Sequence, residues 1–248
     1  MNELSNGLTI IVEDTNKTYH TLDDWDFALG NNNYISDPEM ETNYIDVPYR
    51  DGLIDASTSM IGRPVYKKRQ LSFEMGGTRR RLEWDTVISS IRNAIHGRTC
   101  QLIMDNDISY YWRGRVFVEN FDRFRGLGTF QINVPNADPY KYSLLSSSEP
   151  WLWDPFNFET GVIIFTGAWT VNGTLSETVL AGHMPTCPKF IVSDLVGDAI
   201  TLTVGNQNFT LVAGTNSFPE IMVGGDKDVA MTLTGYGKVQ IVYKSGSL

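Results

Sequence analysis

Between Arg79 and His96, Trp84, Val87, Ile88, Ile91 and Ile95 fall at steps of 3, 4, 7 and 11 from the tryptophan, which is one face of an α-helix. Gly97 follows where a C-terminal cap is expected, and Arg92, His96 and Arg98 gather near the negative end of the helix dipole. The other readable elements of this part of the chain are strands. Arg69–Met75 contains the alternation Leu71-Ser72-Phe73-Glu74-Met75, and Thr99–Met104, Tyr110–Glu119 and Leu127–Val134 follow, with Asp105-Asn106-Asp107 as a turn. One helix among antiparallel strands predicts an α+β unit.

The rest of the chain reads as all-β. Ala199–Val204 is rich in β-branched residues, Gly205-Asn206-Gln207 supplies turn chemistry, and Asn208–Val212 returns as the second strand of a hairpin. Gly161–Phe165, Thr178–Ala181, Lys189–Ser193, Val229–Leu233 and Lys238–Tyr243 are further strand candidates. Many short strands split by Gly, Asn and Asp predict a sandwich or jelly roll.

Charge divides the chain in the same place. Residues 1–142 carry 16 of the 20 bases and 20 of the 29 acids, whereas residues 143–248 carry 4 bases and 9 acids. That shift, with Asp138-Pro139 and the Ser-rich tract from Ser143 to Pro150, predicts two domains, 1–142 and 143–248. The net charge of −9 argues against a dedicated nucleic-acid binder. No run of eighteen apolar residues is present, so no membrane-spanning helix is expected. The opening residues lack the basic start and apolar stretch of a signal peptide, and Cys100 and Cys187 have no neighbours at metal or redox spacing. Both features point to folding in a reducing cytoplasm.

Motifs for chemistry are scarce. His20, His96 and His183 form no pair at metal spacing, no GxSxG or phosphate-binding glycine loop occurs, and Gly126-Leu127-Gly128 lies between strands. Asp105 and Asp107 do not begin a calcium loop, because the sixth and twelfth positions are Tyr110 and Val116. The basic runs Lys67-Lys68-Arg69 and Arg79-Arg80-Arg81 suit a solvated or interface role better than a phosphate groove in so acidic a chain. No catalytic residue, metal site or cofactor is expected, and the chain reads as no enzyme. Pro150-Trp151-Leu152-Trp153-Asp154-Pro155-Phe156, with Trp169 close in sequence, is either a sugar-stacking or docking patch or a cover for the seam between domains.

Several segments together resemble a known family. They are Val47-Pro48-Tyr49-Arg50-Asp51-Gly52-Leu53-Ile54-Asp55, then Gly62-Arg63-Pro64-Val65-Tyr66 running into Arg69–Met75, the helix end His96-Gly97, and Asp138-Pro139-Tyr140-Lys141-Tyr142. Their order resembles the distal tail proteins of phages with long, flexible, non-contractile tails. The resemblance covers about residues 1–142.

It implies an N-terminal belt domain that forms a homo-oligomeric, hexameric ring and a C-terminal galectin-like β-sandwich. It further implies a structural hub at the phage tail tip, joining the tail tube protein to the tip or receptor-binding proteins while DNA passes through the pore. The protein would then be a virion component without membrane insertion. Residues Val47, Pro48, Tyr49, Arg50, Asp51 and Gly52 are the expected subunit or tube contact, with Pro48 and Gly52 setting turns and Arg50 and Asp51 free to pair across an interface or with each other. Mixed charge in the first part suits a contact between unlike faces of neighbouring copies, and net acidity suits a pore along which DNA slides. A carbohydrate-binding module using Trp151, Trp153 and Trp169 to attach the virion to host cell-wall polysaccharide is the alternative. A glycosidase built on Asp154 and Glu159 is a weaker third, since nothing sets the separation of those carboxylates.

Overall fold

The computed structural model describes residues 6–78, 80, 83–124, 126–148, 167–180, 182–225 and 227–248. The chain divides into two compact units, Met1–Lys141 and Tyr142–Leu248.

Unit 1 holds β1 (Leu8–Val12), β2 (Lys17–His20), β3 (Ala28–Leu29), β4 (Tyr34–Ile35), β5 (Tyr44–Ile45), β6 (Ile54–Asp55), β7 (Arg69–Thr78), α1 (Trp84–Ile95), β8 (Thr99–Met104), β9 (Tyr110–Arg115), β10 (Phe117–Phe124) and β11 (Leu127–Ala137). Two antiparallel sheets form. The first runs β9-β8-β1-β2; the second runs β10-β11-β7, with β3 and β4 both on the far edge of β7. Alternate residues of each strand point inward. Leu8, Ile10 and Val12 of β1, Cys100 and Leu102 of β8, Leu71, Phe73 and Met75 of β7, and Phe130, Ile132 and Val134 of β11 all enter one buried core. The helix adds Trp84, Ile88, Ile91 and Ile95 to it. Phe27 meets Phe130 edge-on at 4.8 Å and lies 6.0 Å from Trp84, so the aromatic centre of the core joins helix and sheet.

The helix begins at Trp84, not at Arg79. The apolar face starts there, and Glu83 at the N-cap makes no side-chain capping bond. Its end follows the expectation: Gly97 takes φ +76, and its N–H donates to the Val116 carbonyl at 2.7 Å. The same point divides the expected strand Tyr110–Glu119 in two. Val116 donates to Arg98, Val118 donates to His96 Nδ1 at 3.0 Å, and the chain passes from the first sheet to the second between β9 and β10. The helix terminus thus sews the two sheets together. Cys100 is buried among apolar side chains, which pushes its thiol up to about 12 and makes it a packing residue, not a nucleophile.

β12 (Lys141–Ser143) runs across the division of the chain. Unit 2 holds β13 (Trp169–Val179), β14 (Lys189–Ser193), β15 (Ile200–Val204), β16 (Gln207–Leu211), β17 (Gly214–Ser217), β18 (Val229–Val242) and β19 (Gly246–Ser247). The hairpin expected over 199–212 is present as β15–β16, and the expected strand Lys189–Ser193 is β14. The two strands expected at Val229–Leu233 and Lys238–Tyr243 are one 14-residue strand. It pairs with β13 along one edge and on the other changes neighbour, from β15 at Met231–Thr234 to β14 at Lys238–Val242. Gly235 and Gly237 lie at that change. A Cβ on Gly235 would stand 3.0 Å from Ile200 Cγ1, so the glycines let the neighbouring chain cross close to the strand. The sheet curls there, and Phe190, Val192, Leu202, Leu211, Leu233, Val239 and Ile241 face one another in a second core. Unit 2 is therefore an all-β sandwich, and unit 1 is α+β. The expected strand Gly161–Phe165 lies outside the described residues.

Core packing sets the first test. A Cβ at Gly128 of β11 would stand 2.5 Å from Cη2 of the fully buried Trp84. Gly128→Ala is expected to cost about 1–3 kcal/mol, read as a lower urea midpoint at unchanged slope; an unchanged midpoint would show that Trp84 is not locked in place.

Candidate interaction surface

Between β4 and β7 the chain leaves the sheet as a long antiparallel arm. The ladder pairs Tyr34 with Ser72 and Ile35 with Leu71, and Ser36 N–H donates to the Gln70 carbonyl at 2.9 Å. The same register then continues beyond the sheet edge. Lys67 donates to Glu39, Met40 bridges Tyr66, and Glu41 donates to Val65. Farther out the register shifts across the turn at Ser59–Gly62. Asn43 N–H donates to Ser57 Oγ at 2.8 Å, Ala56 donates to Asn43, and β5 pairs with β6. A closed backbone ladder is what lets so extended a segment hold its shape without a core.

The arm's base is braced by charge and by rings. Lys68 pairs with Asp138, which is only 8 % exposed, and Tyr66 meets Tyr140 edge-on at 5.9 Å. Arg113 grips Glu13 with two bonds, Nε to Oε1 at 2.7 Å and Nη2 to Oε2 at 2.8 Å, and reaches Asp138 at 3.5 Å. The Arg113 hydrogen bond holds the Glu13 carboxyl below its usual range, against the opposing effect of burial. Lys141 donates to Asp107 at 2.6 Å and lies 4.4 Å from the Tyr110 ring centre. The segment from Asp138 to Lys141 is thus the brace on which the arm's base rests.

The arm exposes what soluble surfaces usually cover. Tyr44, Ile45, Tyr49, Leu53, Met60 and Ile61 are all exposed. At its tip the Arg50 N–H donates to the Val47 carbonyl at 3.2 Å, closing a turn with Pro48 second and Tyr49 third at φ +65. Such a turn favours Gly or Asn at that third position, so a tyrosine there carries backbone strain while its ring stands wholly in solvent. Gly52 follows at φ +77. Of the residues expected at a subunit contact, Val47 is half-buried, and Pro48, Tyr49, Arg50, Asp51 and Gly52 are exposed on this tip. Arg50 and Asp51 form no ion pair with each other or elsewhere among the described residues.

Trp169 is half-buried at the start of β13 and packs on the core of unit 2. Trp151 and Trp153, the rest of the expected aromatic patch, lie outside the described residues, as do Asp154 and Glu159. His20 sits between Asp23 at 2.9 Å and Asp105 at 3.2 Å, and Asp105 also accepts from Gly7 N–H at 2.7 Å. This cluster ties the end of β2 and the turn after it to the β8–β9 turn. Among the described residues no three His, Cys, Asp or Glu side chains converge as a metal site, and no helix is long and apolar enough to cross a membrane.

No protein-family model matches the chain, and no curated protein sequence matches it. Among solved structures, the chain is similar to the crystal structure of SPP1 Dit (gp 19.1), described as a paradigm of the hub adsorption apparatus in phages infecting Gram-positive hosts. The TM-score is 0.61 at 12% identity, over 97% of this chain and 99% of that one. The chain shares the fold of Dit. The likeness spans both units, including the second, whose sequence carries no distinguishing motif.

The brace predicts an acid dependence. Glu13 has its folded pKa below 4.5, so the Arg113 bridge adds stability that is full above that value and is lost as pH falls through the folded value. Glu13→Gln is expected to flatten the fall in thermal stability from about pH 4.5 downward. An unaltered acid limb would show that this bridge contributes nothing to folding.

Proposed function

We propose that this chain is the structural hub at the distal end of a phage tail, a ring of copies between the tail tube and the receptor-binding or tip proteins. The observation that carries the reading is the end-to-end fold likeness to SPP1 Dit, a hub protein of an adsorption apparatus. Unit 1 forms the ring as a belt, and unit 2 is the galectin-like sandwich it carries. The braced arm supports this: an exposed apolar ribbon with its own backbone ladder is suited to burial against another copy. Copies meet through unlike faces, so their contacts repeat around a circle and close. Six copies are the expected count. The net charge of −9 per chain keeps DNA from sticking as it passes through the pore. The protein makes and breaks no bond; it works by fit.

Native mass measurement with negative-stain imaging tests this. A six-fold particle with a central hole is expected, and a monomer at every concentration, with or without tail tube protein, would contradict it.

A second reading is favoured by the outward face of unit 2. Thr174, Thr234, Thr201 and Thr210 lie in one cross-strand row, and Ser176, Thr232, Thr203 and Asn208 in the next. The exposed Tyr236, opposite Asn172, flanks these rows. An uncharged hydroxyl and amide surface beside an aromatic ring is the chemistry that holds a neutral polysaccharide, which would let unit 2 attach the virion to the host cell wall. Binding to a wall-glycan array, weakened at least about tenfold by Tyr236→Ala, is its expected result; an array without signal removes it.

A further inference from the structure

We propose that the arm tip of one copy seats in a trough on the outer face of the second sheet in the next copy. The Tyr49 ring lies there between Phe117 and Tyr34, and the Arg50 guanidinium meets Glu119. This rests on the ring reading and names the two surfaces that make the contact.

One cross-strand row builds the trough. Phe117 of β10 pairs with Asn133 of β11, Asn133 with Ser72 of β7, and Ser72 with Tyr34 of β4. The adjoining Val118, Ile132 and Phe73 are buried in the core, so this row faces away from it. An aromatic residue therefore stands at each end of the row, three strand spacings or about 14 Å apart at the backbone. Between them lies a cavity of about 310 Å³, lined also by Pro135 and Glu119. Its polar floor is fixed: Ser72 Oγ donates to Asn133 Oδ1 at 2.7 Å, and Asn133 Nδ2 donates to Glu119 Oε2 at 2.8 Å. A cavity at the small end of the range for ligand pockets admits one ring and its neighbours.

Charge selects the occupant. No lysine or arginine lines the trough. Glu119 and, in the next row beyond Gln131, Glu74 form no ion pair among the described residues. An acidic trough with aromatic walls takes a cation beside an apolar group. The arm tip presents that pair. Tyr49 is wholly exposed, and Arg50 beside it forms no ion pair among the described residues. Asp46 and Asp51 bracket the turn, so Arg50 is the one cation the tip offers. The left-handed φ of +65 at Tyr49 is a strain that glycine would relieve, and here it holds a large ring out where a partner can take it.

The arm also carries enough area. Tyr44, Ile45, Tyr49, Leu53, Met60 and Ile61 together expose on the order of 800 Å², about one partner's share of a standard interface. The contact belongs to two copies, not one. Tyr34 stands at the arm's root, and the chain from there to Asn43 spans about 30 Å at the usual rise of a strand, with the tip farther still. A tip that meets a neighbour's root joins unlike surfaces. Such a contact repeats head-to-tail and generates a ring when the rotation closes.

Variants of the full chain test it, read by native mass and sedimentation under conditions where wild type assembles. Tyr49→Gly relieves the strained φ, so its melting temperature is expected to equal or exceed that of wild type while its assembly weakens at least tenfold. Arg50→Glu and Glu119→Arg change exposed side chains and should leave the circular dichroism of wild type. Each alone is expected to weaken assembly several-fold, and the two in one chain are expected to restore it. Tyr49→Gly that assembles as well as wild type would overturn the seating of the ring. A double charge variant that assembles more weakly than either single one would show that tip and trough do not meet. Both results would leave the ring reading standing. Wild type that never assembles would overturn the ring reading and this contact with it.

Discussion

The arm depends on a buried guanidinium. Arg69, the first residue of β7, is 6 % exposed, and its Nε and Nη2 both donate to the Ser36 carbonyl at the arm's root. Its Cζ lies 4.8 Å from the Trp112 ring centre of the first sheet. Burial pulls its pKa down from the ordinary value, with Asp37 opposing, yet an arginine stays charged. A charge held in a core persists only where its surroundings fix it. Here the surroundings are the carbonyl that begins the arm and the ring that faces the other sheet. Nη1 makes no hydrogen bond among the described residues, so the clamp is directed at one carbonyl alone. Gln70 N–H adds a bond to Ser36 Oγ at 3.0 Å. With the root gripped from both sides, the ladder can run outward beyond the sheet.

This arrangement gives one physical sense to segments that are scattered in the chain. Tyr66 and Lys68 end the arm's return strand, and Asp138 and Tyr140 follow directly after β11, which pairs with β7 along its length. Val47–Asp55 forms the tip, and His96-Gly97 sews the sheets beneath. None of these residues needs catalytic chemistry to explain its position. They build and brace a projection that exposes apolar side chains and acids beyond one end of β7.

Much of the architecture was legible in the sequence. The helical period at Trp84–Ile95 and the strands Thr99–Met104 and Lys189–Ser193 were readable because burial on one face writes a strict period into the residues. The readings that differed did so where the chain changes partners. Tyr110–Glu119 keeps a strand pattern through Val116, although the backbone there moves from one sheet to the other. Gly235 and Gly237 read as a break, yet they permit one strand to serve two neighbours. The arm was the least legible part. Its strands β5 and β6 have two residues each, and no face of it meets the core, so neither period appears. Two of its segments, Val47–Asp55 and Gly62–Tyr66, stood out through the family resemblance. Its other apolar side chains, Tyr44, Ile45, Met60 and Ile61, gain meaning only from their exposure.

The central claim is that the chain works by burying its arm against a copy of itself. Amide hydrogen exchange over residues 43–56, compared between dilute and assembled protein, tests this most directly. The account predicts exchange that slows at least tenfold on assembly across Asn43–Ala56 while the backbone of the two cores is unchanged. Equal exchange in both states, in a sample shown to be assembled, would contradict it.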